Sequence, residues 1–140
     1  MRVLGIDAGE RRIGVALSDP LGLLASALTV IEVKTTDAAL ERITDLAAEY
    51  EVERIVIGLP RSLDGEVGRQ AQKVQAFVEL LSQRIGIPVV TWDERFSTVA
   101  AERVLVEAGT KREKRKKHRN AVAAALVLQA YLDLERDKGV

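Results

Sequence analysis

The chain has 140 residues, 47% of them hydrophobic, with 21 basic and 21 acidic side chains. This composition predicts one globular domain over residues 1–140, and the net charge of zero argues against a uniformly basic nucleic-acid coat. The lack of cysteine excludes disulfides and thiolate sites. The lack of a long apolar span argues against a membrane partner, and we expect a cytoplasmic protein.

The first predicted element is a strand over Val3–Ile6 that runs into Asp7. Its residues are continuously apolar, as in a strand buried on both faces, so the carboxylate is held on rigid backbone. A polar turn follows, and Ile13–Leu17 predicts an antiparallel second strand in which Gly14 allows close backbone approach. An equally acceptable interpretation is that Asp7 only forms the turn.

The rest of the chain alternates between strands and helices. Short β-branched apolar runs indicate strands, and apolar residues at helical spacing indicate helices. The predicted strands are Ala25–Val33, Arg54–Gly58 and Val89–Trp92. Four helices are predicted. The first starts at Thr36, the second carries Ala71 to Ile85 on one face, the third is capped by Ser97 or Thr98 and closed by Gly109, and the fourth runs from Ala121 to Leu132.

This order of elements predicts an α/β fold of the ribonuclease H-like class. The first three strands form an antiparallel meander, and two later strands are each reached through a helix, which is the usual connection between parallel neighbours. We therefore predict a five-stranded mixed sheet flanked by helices. Sites in such sheets lie at the carboxyl ends of the parallel strands.

Glu94 repeats the arrangement seen at Asp7, because it follows the strand Val89–Trp92 with only Asp93 between. If one strand separates the two acids, their backbones are about 10 Å apart, two sheet spacings. Two carboxylates at one edge repel each other unless a cation lies between them, and oxygen ligands suit Mg²⁺ or Mn²⁺. Such a site can hydrolyse a phosphodiester. Alternatively, Asp93 and Glu94 cap a helix or pair with Arg95.

A basic run over Lys111–Arg119 precedes the last predicted helix. Because its charges repel each other on a helix face, we predict a loop that accepts phosphates, with a solvated disordered segment as the alternative. Arg11, Arg12 and Arg95 would extend this surface. Aromatic residues are scarce, so base stacking is expected to be weak. Within the run, the predicted nucleic-acid-binding residues are Lys111, Arg112, Lys114, Arg115, Lys116 and Lys117.

The chain resembles the YqgF (RuvX) family in motifs that occur in the order GIDAGERRIGVALSD, IGLP, DERFST and a basic run entering an alanine-rich helix that ends in QAYL. The resemblance covers nearly the whole chain. It implies a ribonuclease H-like fold similar to that of Holliday junction resolvases, a bacterial cytoplasmic location, a divalent metal and phosphodiester hydrolysis in 5′ maturation of 16S rRNA. The family's first acid falls on Asp7 and its DER acid on Glu94.

The third site position departs from the pattern of that family. The family usually has an aspartate at the start of the last helix, where this chain has Asn120. An amide oxygen can bind a hard cation but supplies no negative charge, so metal affinity and activity are both in question. Asp19 and Asp64 are weaker candidates to supply the missing charge. We predict that Asn120 lies on the first turn of that helix, facing Asp7 and Glu94.

Several functions stay open at this point. The first is a metal-dependent nuclease that acts on pre-16S rRNA, with branched DNA as the alternative substrate. An actin-like phosphotransferase also uses an acid before a glycine turn, although such enzymes need two domains of this kind. A catalytically weak nucleic-acid-binding module is credible because of Asn120. In each nucleic-acid case we expect a monomer or weak homodimer.

Overall fold

The computed structural model describes residues 1–60, 68–94 and 112–138, with the backbone alone for residues 112–118. The predicted helix before Gly109 lies outside the described residues. The strands are β1 (Val3–Ala8), β2 (Arg12–Ser18), β3 (Ala25–Glu32), β4 (Arg54–Leu59) and β5 (Val89–Asp93). The helices are α1 (Thr36–Glu49), α2 (Arg69–Arg84) and α3 (Arg112–Lys138).

The strands form one sheet in the order β3-β2-β1-β4-β5. β1 and β3 are antiparallel to β2, while β1 is parallel to β4 and β4 is parallel to β5. The predicted meander with two added parallel strands is therefore confirmed. One strand, β4, separates β1 from β5, so the carboxyl ends of β1 and β5 lie at the same edge of the sheet.

Each face of the sheet carries its own core, because side chains alternate along a strand. Leu4 and Ile6 of β1 pack in the core formed with α1 and α2. Val3 belongs to the core formed with α3, and a Cβ on Gly5 would lie 2.7 Å from Cβ of Leu128 in that helix. The same alternation assigns Asp7 to the α3 face.

The helices α1 and α2 bury the apolar stripes that the sequence predicts. Thr35 caps α1, its side chain accepting from the backbone N–H of Ala38 at 3.1 Å, so the helix begins where predicted. The stripe on α2 ends earlier than predicted, since Ile85 follows the last helical residue. The buried residues are Ala39, Leu40, Ile43, Leu46 and Ala47 in α1 and Ala71, Val74 and Leu81 in α2.

The last helix begins at Arg112 and not at Ala121, so the predicted loop over the basic run is wrong from Arg112 onward. Lysine, arginine and glutamate are good helix formers, and extending an existing helix is easy once its apolar part is docked on the sheet. Repulsion between like charges one turn apart amounts only to a few tenths of a kcal/mol, roughly 0.2–0.5. Asn120 therefore lies about two turns inside the helix rather than on its first turn.

Candidate functional site

Asp7 lies in β1 between glycines of the two neighbouring strands. It is only 8% exposed. In β2 its register partner is Gly14. On the other side, the register that pairs Ile6 with Ile57 brings Gly58 of β4 alongside at the next step. Because glycine has no side chain, this row of the sheet leaves space on both sides of the Asp7 carboxylate.

The space over Gly58 is taken by Glu94. A Cβ on Gly58 would lie 3.1 Å from Oε1 of Glu94 and 3.1 Å from Cγ2 of Val127 in α3. The Glu94 carboxylate therefore extends from the end of β5 back over β4, on the face that α3 covers. It crosses roughly half of the ~10 Å between the β5 and β1 backbones. Glu94 thus reaches over the glycine that lies alongside Asp7, which brings the two predicted acids toward each other.

The space over Gly14 is taken by Asn120. A Cβ on Gly14 would overlap the backbone carbonyl of Asn120 and would lie 2.7 Å from the amide nitrogen of Ala121. Because Gly14 is paired with Asp7, this contact holds Asn120 beside Asp7, on the side away from Glu94. The helical face below Asn120 continues through the buried residues Ala124, Val127 and Tyr131.

A metal site at these positions would draw on oxygen atoms alone. Its candidate donors are the carboxylates of Asp7 and Glu94 and the amide oxygen of Asn120. Among the residues that the structure describes, no three His, Cys, Asp or Glu side chains are grouped to hold a metal ion. Hard cations such as Mg²⁺ and Mn²⁺ prefer oxygen ligands, so this set fits such an ion with one negative charge fewer than three acids would supply.

A groove of about 590 Å³ opens next to Asn120. Its walls are the β1–β2 turn, the end of β3, and α3 at Arg119 and Asn120. The predicted residues Arg11 and Arg12 lie here. Lys34 also lines the groove, but it was not predicted, because a single lysine after a strand does not indicate a binding site in the sequence. The lining residues are Gly9, Glu10, Arg11, Arg12, Glu32, Val33, Lys34, Arg119 and Asn120.

The remaining predicted nucleic-acid-binding residues divide into two groups. Arg95 and Lys111 lie outside the described residues. The others lie in the amino-terminal part of α3, for which the backbone alone is described. That part leads directly into Asn120, about 1.5 Å per residue along the helix axis. The residues concerned are Arg112, Lys114, Arg115, Lys116 and Lys117.

Asp19 is not part of this site. Its carboxylate accepts hydrogen bonds from the backbone N–H groups of Leu21, Leu23 and Leu24 at 3.3, 2.6 and 2.8 Å. These bonds close the β2–β3 loop. That loop lies next to the start of β1 and not its end, because Leu17 pairs with Leu4 in the sheet. The suggestion that Asp19 replaces the third acid is therefore wrong, and Asp64 lies outside the described residues.

The hydrogen bonds to Asp19 are expected to make the stability of the folded protein depend on pH. The bond from the N–H of Leu24, and then those from Leu23 and Leu21, lower the pKa of Asp19 below its ordinary 3.8. A carboxyl whose pKa is lowered by folding stabilises the folded state above the unfolded pKa, and this stabilisation is lost as the pH falls through the folded pKa.

We expect Asp19→Asn to melt at a lower temperature than the parent at neutral pH, because a charged acceptor binds N–H groups more strongly than an amide oxygen. The difference is expected to shrink as the pH falls below about 3.8. Thermal unfolding followed by circular dichroism over a pH series measures both effects. A difference that stays constant down to the lowest pH would contradict this account.

Comparison with known proteins is consistent with this geometry. The sequence profile of the RuvX family, described as Holliday junction resolvase, matches residues 1–134. The chain belongs to the RuvX family. The resemblance seen in the motifs is thereby confirmed.

Curated relatives match this RuvX-family chain over nearly their whole length. A protein of Desulforamulus reducens is 50% identical over 133 residues, which are 95% of this chain and 97% of that protein. One of Halothermothrix orenii is 48% identical over 135 residues, 96% of each chain. Both are named "Putative pre-16S rRNA nuclease".

Solved structures show the same fold. RuvC of T. thermophilus, in complex with a Holliday junction substrate, matches with a TM-score of 0.62 at 18% identity, covering 96% of each chain. The fowlpox virus resolvase, also in complex with Holliday junction DNA, matches with a TM-score of 0.58 at 10% identity, covering 96% of this chain and 99% of that one. At such identities the likeness concerns the fold, and it confirms the ribonuclease H-like prediction.

Proposed function

We propose that this RuvX-family protein is a metal-dependent nuclease that hydrolyses phosphodiester bonds in the 5′ maturation of pre-16S rRNA, in the cytoplasm. The observation that carries the proposal is the convergence of Asp7, Glu94 and Asn120 on the α3 face of the sheet, over Gly58 and Gly14. The names of relatives at 44–50% identity support the substrate. The motif match supports the assignment of Asp7 and Glu94, and Asn120 stands where the family usually has an aspartate.

In this proposal, Asp7 and Glu94 bind Mg²⁺ or Mn²⁺, and the amide oxygen of Asn120 completes the set. When bound, the cation polarises phosphate oxygens and lowers the pKa of a water molecule. Asp7 contributes from a buried strand, so its position costs little reorganisation. Glu94 contributes the longer side chain that closes the distance between β5 and β1. Asn120 is held by the docking of α3 on Gly14.

The basic run at the start of α3, with Arg11, Arg12 and Arg95, binds the phosphates of the substrate. Its support is the charge density of the run and its position on the helix that leads into Asn120. Such contacts hold a nucleic acid in place without reading its sequence. We propose that the protein acts as a monomer or weak homodimer, which sedimentation analysis tests.

Branched DNA is the second candidate substrate, because the family profile carries the description of a Holliday junction resolvase. The deciding experiment compares an RNA fragment that spans the 5′ end of 16S rRNA with a four-way DNA junction, in Mn²⁺, using Asp7→Asn protein as the background control. We expect cleavage of the RNA. Cleavage of the junction alone would identify branched DNA, and not pre-16S rRNA, as the substrate. Cleavage of neither would contradict the nuclease proposal and favour a nucleic-acid-binding module.

We expect Asn120→Asp to tighten metal binding and to raise cleavage about tenfold, if the added charge is worth about 1.4 kcal/mol in the transition state. With the amide present, a second cation is held poorly because little offsets the repulsion between two ions. The alternative role as a helix cap is contradicted, because α3 runs continuously from Arg112 through this position. Isothermal calorimetry and cleavage rates measure the two effects.

Asn120→Ala provides the matched opposite change, since it removes the amide oxygen without adding charge. It is expected to weaken metal binding relative to the parent. If the three proteins bind Mn²⁺ with equal affinity and cleave at equal rates, Asn120 does not belong to the site.

A further inference from the structure

The groove beside Asn120 is built by backbone that local hydrogen bonds hold in place. The N–H of Gly9 donates to the carbonyl of Arg12 at 3.0 Å and closes the β1–β2 turn. The N–H of Val33 donates to the carbonyl of Arg11 at 2.8 Å and ties the end of β3 to that turn. Arg11 and Lys34, which follows Val33 in the chain, therefore project from backbone that is held in place.

The charge of the groove is positive. Four cations and two acids line it, in a chain whose net charge is zero. One acid, Glu10, forms an ion pair with Lys73 of α2, which is not among the lining residues. The other, Glu32, is the register partner of Arg12 across β2 and β3. Three of the four lining cations, Arg11, Lys34 and Arg119, are exposed.

The size and composition of the groove favour a single strand over a duplex. Pockets of about 300–1,000 Å³ enclose ligands of drug size, so the 590 Å³ here suits about one or two nucleotides. No aromatic side chain occurs among the described lining residues, which leaves no platform on which a base could stack. The contacts available are those to phosphate, without sequence readout.

From these observations, and resting on the proposed function, we propose that this groove binds the backbone of a single-stranded segment of the substrate next to the scissile phosphate. Lys34 and Arg119 are its phosphate-binding residues, with Arg11 on the β1–β2 turn as a further lining cation. Because Asn120 belongs to both the groove and the oxygen donor set, the segment continues directly from the site of cleavage. The groove thereby determines which stretch of the strand must be unpaired.

Binding measured without divalent metal tests the groove separately from cleavage. The probe is a short fluorescent oligouridylate in EDTA, followed by anisotropy over a series of KCl concentrations. For single strands, each phosphate contact contributes about −0.7 to the slope of log K against log salt. Removing two contacts in Lys34→Ala/Arg119→Ala is therefore expected to make the slope less steep by about 1.4.

The matched control is Arg136→Ala/Lys138→Ala, which removes the same two residue types at the far end of α3. There, Arg136 and Lys138 lie in exposed i,i+3 pairs with Asp133 and Glu135, which contribute little to stability. We expect the control to keep the slope of the parent. Equal changes in the two double variants would show a general effect of charge and would overturn the proposal.

A third double variant, Lys114→Ala/Lys116→Ala, separates this proposal from the proposed function. If the salt dependence of binding becomes less steep in that variant but not in Lys34→Ala/Arg119→Ala, the groove proposal fails and the nuclease proposal stands. If the parent binds the oligouridylate but cleaves neither RNA nor DNA in Mn²⁺, the nuclease proposal fails. The groove is then still tested by the salt dependence of oligouridylate binding in the groove variant. If the parent does not bind the probe at all, the groove proposal fails.

Crosslinking gives the position of the strand directly. Because the chain contains no cysteine, Lys34→Cys provides a single thiol for a photoactivated crosslinker. We expect crosslinks to nucleotides at a constant spacing from the cleavage position, on one side only, and none from Arg136→Cys. Crosslinks from Lys34→Cys that are spread evenly along the strand would contradict a fixed path through the groove.

Discussion

Asp7→Asn is expected to lower the rate of phosphodiester cleavage about a thousandfold, which corresponds to ~4 kcal/mol of transition-state stabilisation. In the proposed site Asp7 is the central donor, since Asn120 lies on one side of it over Gly14 and Glu94 approaches from the other over Gly58. The substitution removes the charge at nearly constant shape. The folded structure is therefore expected to be retained while the negative charge that attracts a hard cation is lost.

A measurement that does not depend on cleavage tests the same assignment. A cation that binds only the folded protein raises its stability by about 2.7 kcal/mol at a hundred times its Kd. We expect Mn²⁺ to raise the melting temperature of the parent and to leave that of Asp7→Asn unchanged. The control is Asp45→Asn, the same substitution at an exposed position of α1. An equal response to Mn²⁺ in Asp7→Asn and the parent would remove Asp7 from the site.

Gly58→Ala is expected to lower cleavage about a hundredfold, the order of effect caused by a displacement of 1 Å in a reacting group. The added methyl group would meet Oε1 of Glu94 and Cγ2 of Val127, each at 3.1 Å. Either the carboxylate or the helix must move. We also expect a loss of stability of about 1–3 kcal/mol, typical of overpacked interiors.

Two further variants separate the effect on the site from the effect on packing. Gly86→Ala is the matched control, because a Cβ there meets nothing within 4 Å, and it is expected to cleave at the parent rate. Adding Val127→Ala to Gly58→Ala relieves the contact with the helix but not the contact with Glu94. If cleavage by Gly58→Ala equals that of the parent, Glu94 does not act from over Gly58.

The periodicity of the sequence was sufficient to predict the sheet. Strands buried on both faces are continuous apolar runs, and a helix between two strands makes them parallel, so the antiparallel meander and the two added parallel strands followed from local patterns and connection rules. The same reasoning placed Asp7 and Glu94 at one edge. Both arguments use only neighbours in the chain and the regular geometry of a sheet. The position of β4 between β1 and β5 comes from the structure.

The start of α3 could not be predicted in the same way. The local argument weighed charge repulsion within the basic run, whereas helix propagation from the docked apolar segment decides the outcome. Asp19 shows the opposite error, because an acid near the end of a strand can equally well close a loop. Its hydrogen bonds to Leu21, Leu23 and Leu24 are visible only once the loop is folded.

By itself, the sequence determined the strands, their parallel or antiparallel pairing and the two acids at one edge, because these depend on residue type and spacing. The third position, Asn120, came from the resemblance to the family. Only the tertiary structure decided that β4 lies between β1 and β5, that Gly14 and Gly58 make room for Asn120 and Glu94, and that Lys34 and Arg119 line one groove. These pairs join residues far apart in the chain. Their distances depend on how α3 lies across the sheet, which the close packing of side chains on the sheet face determines.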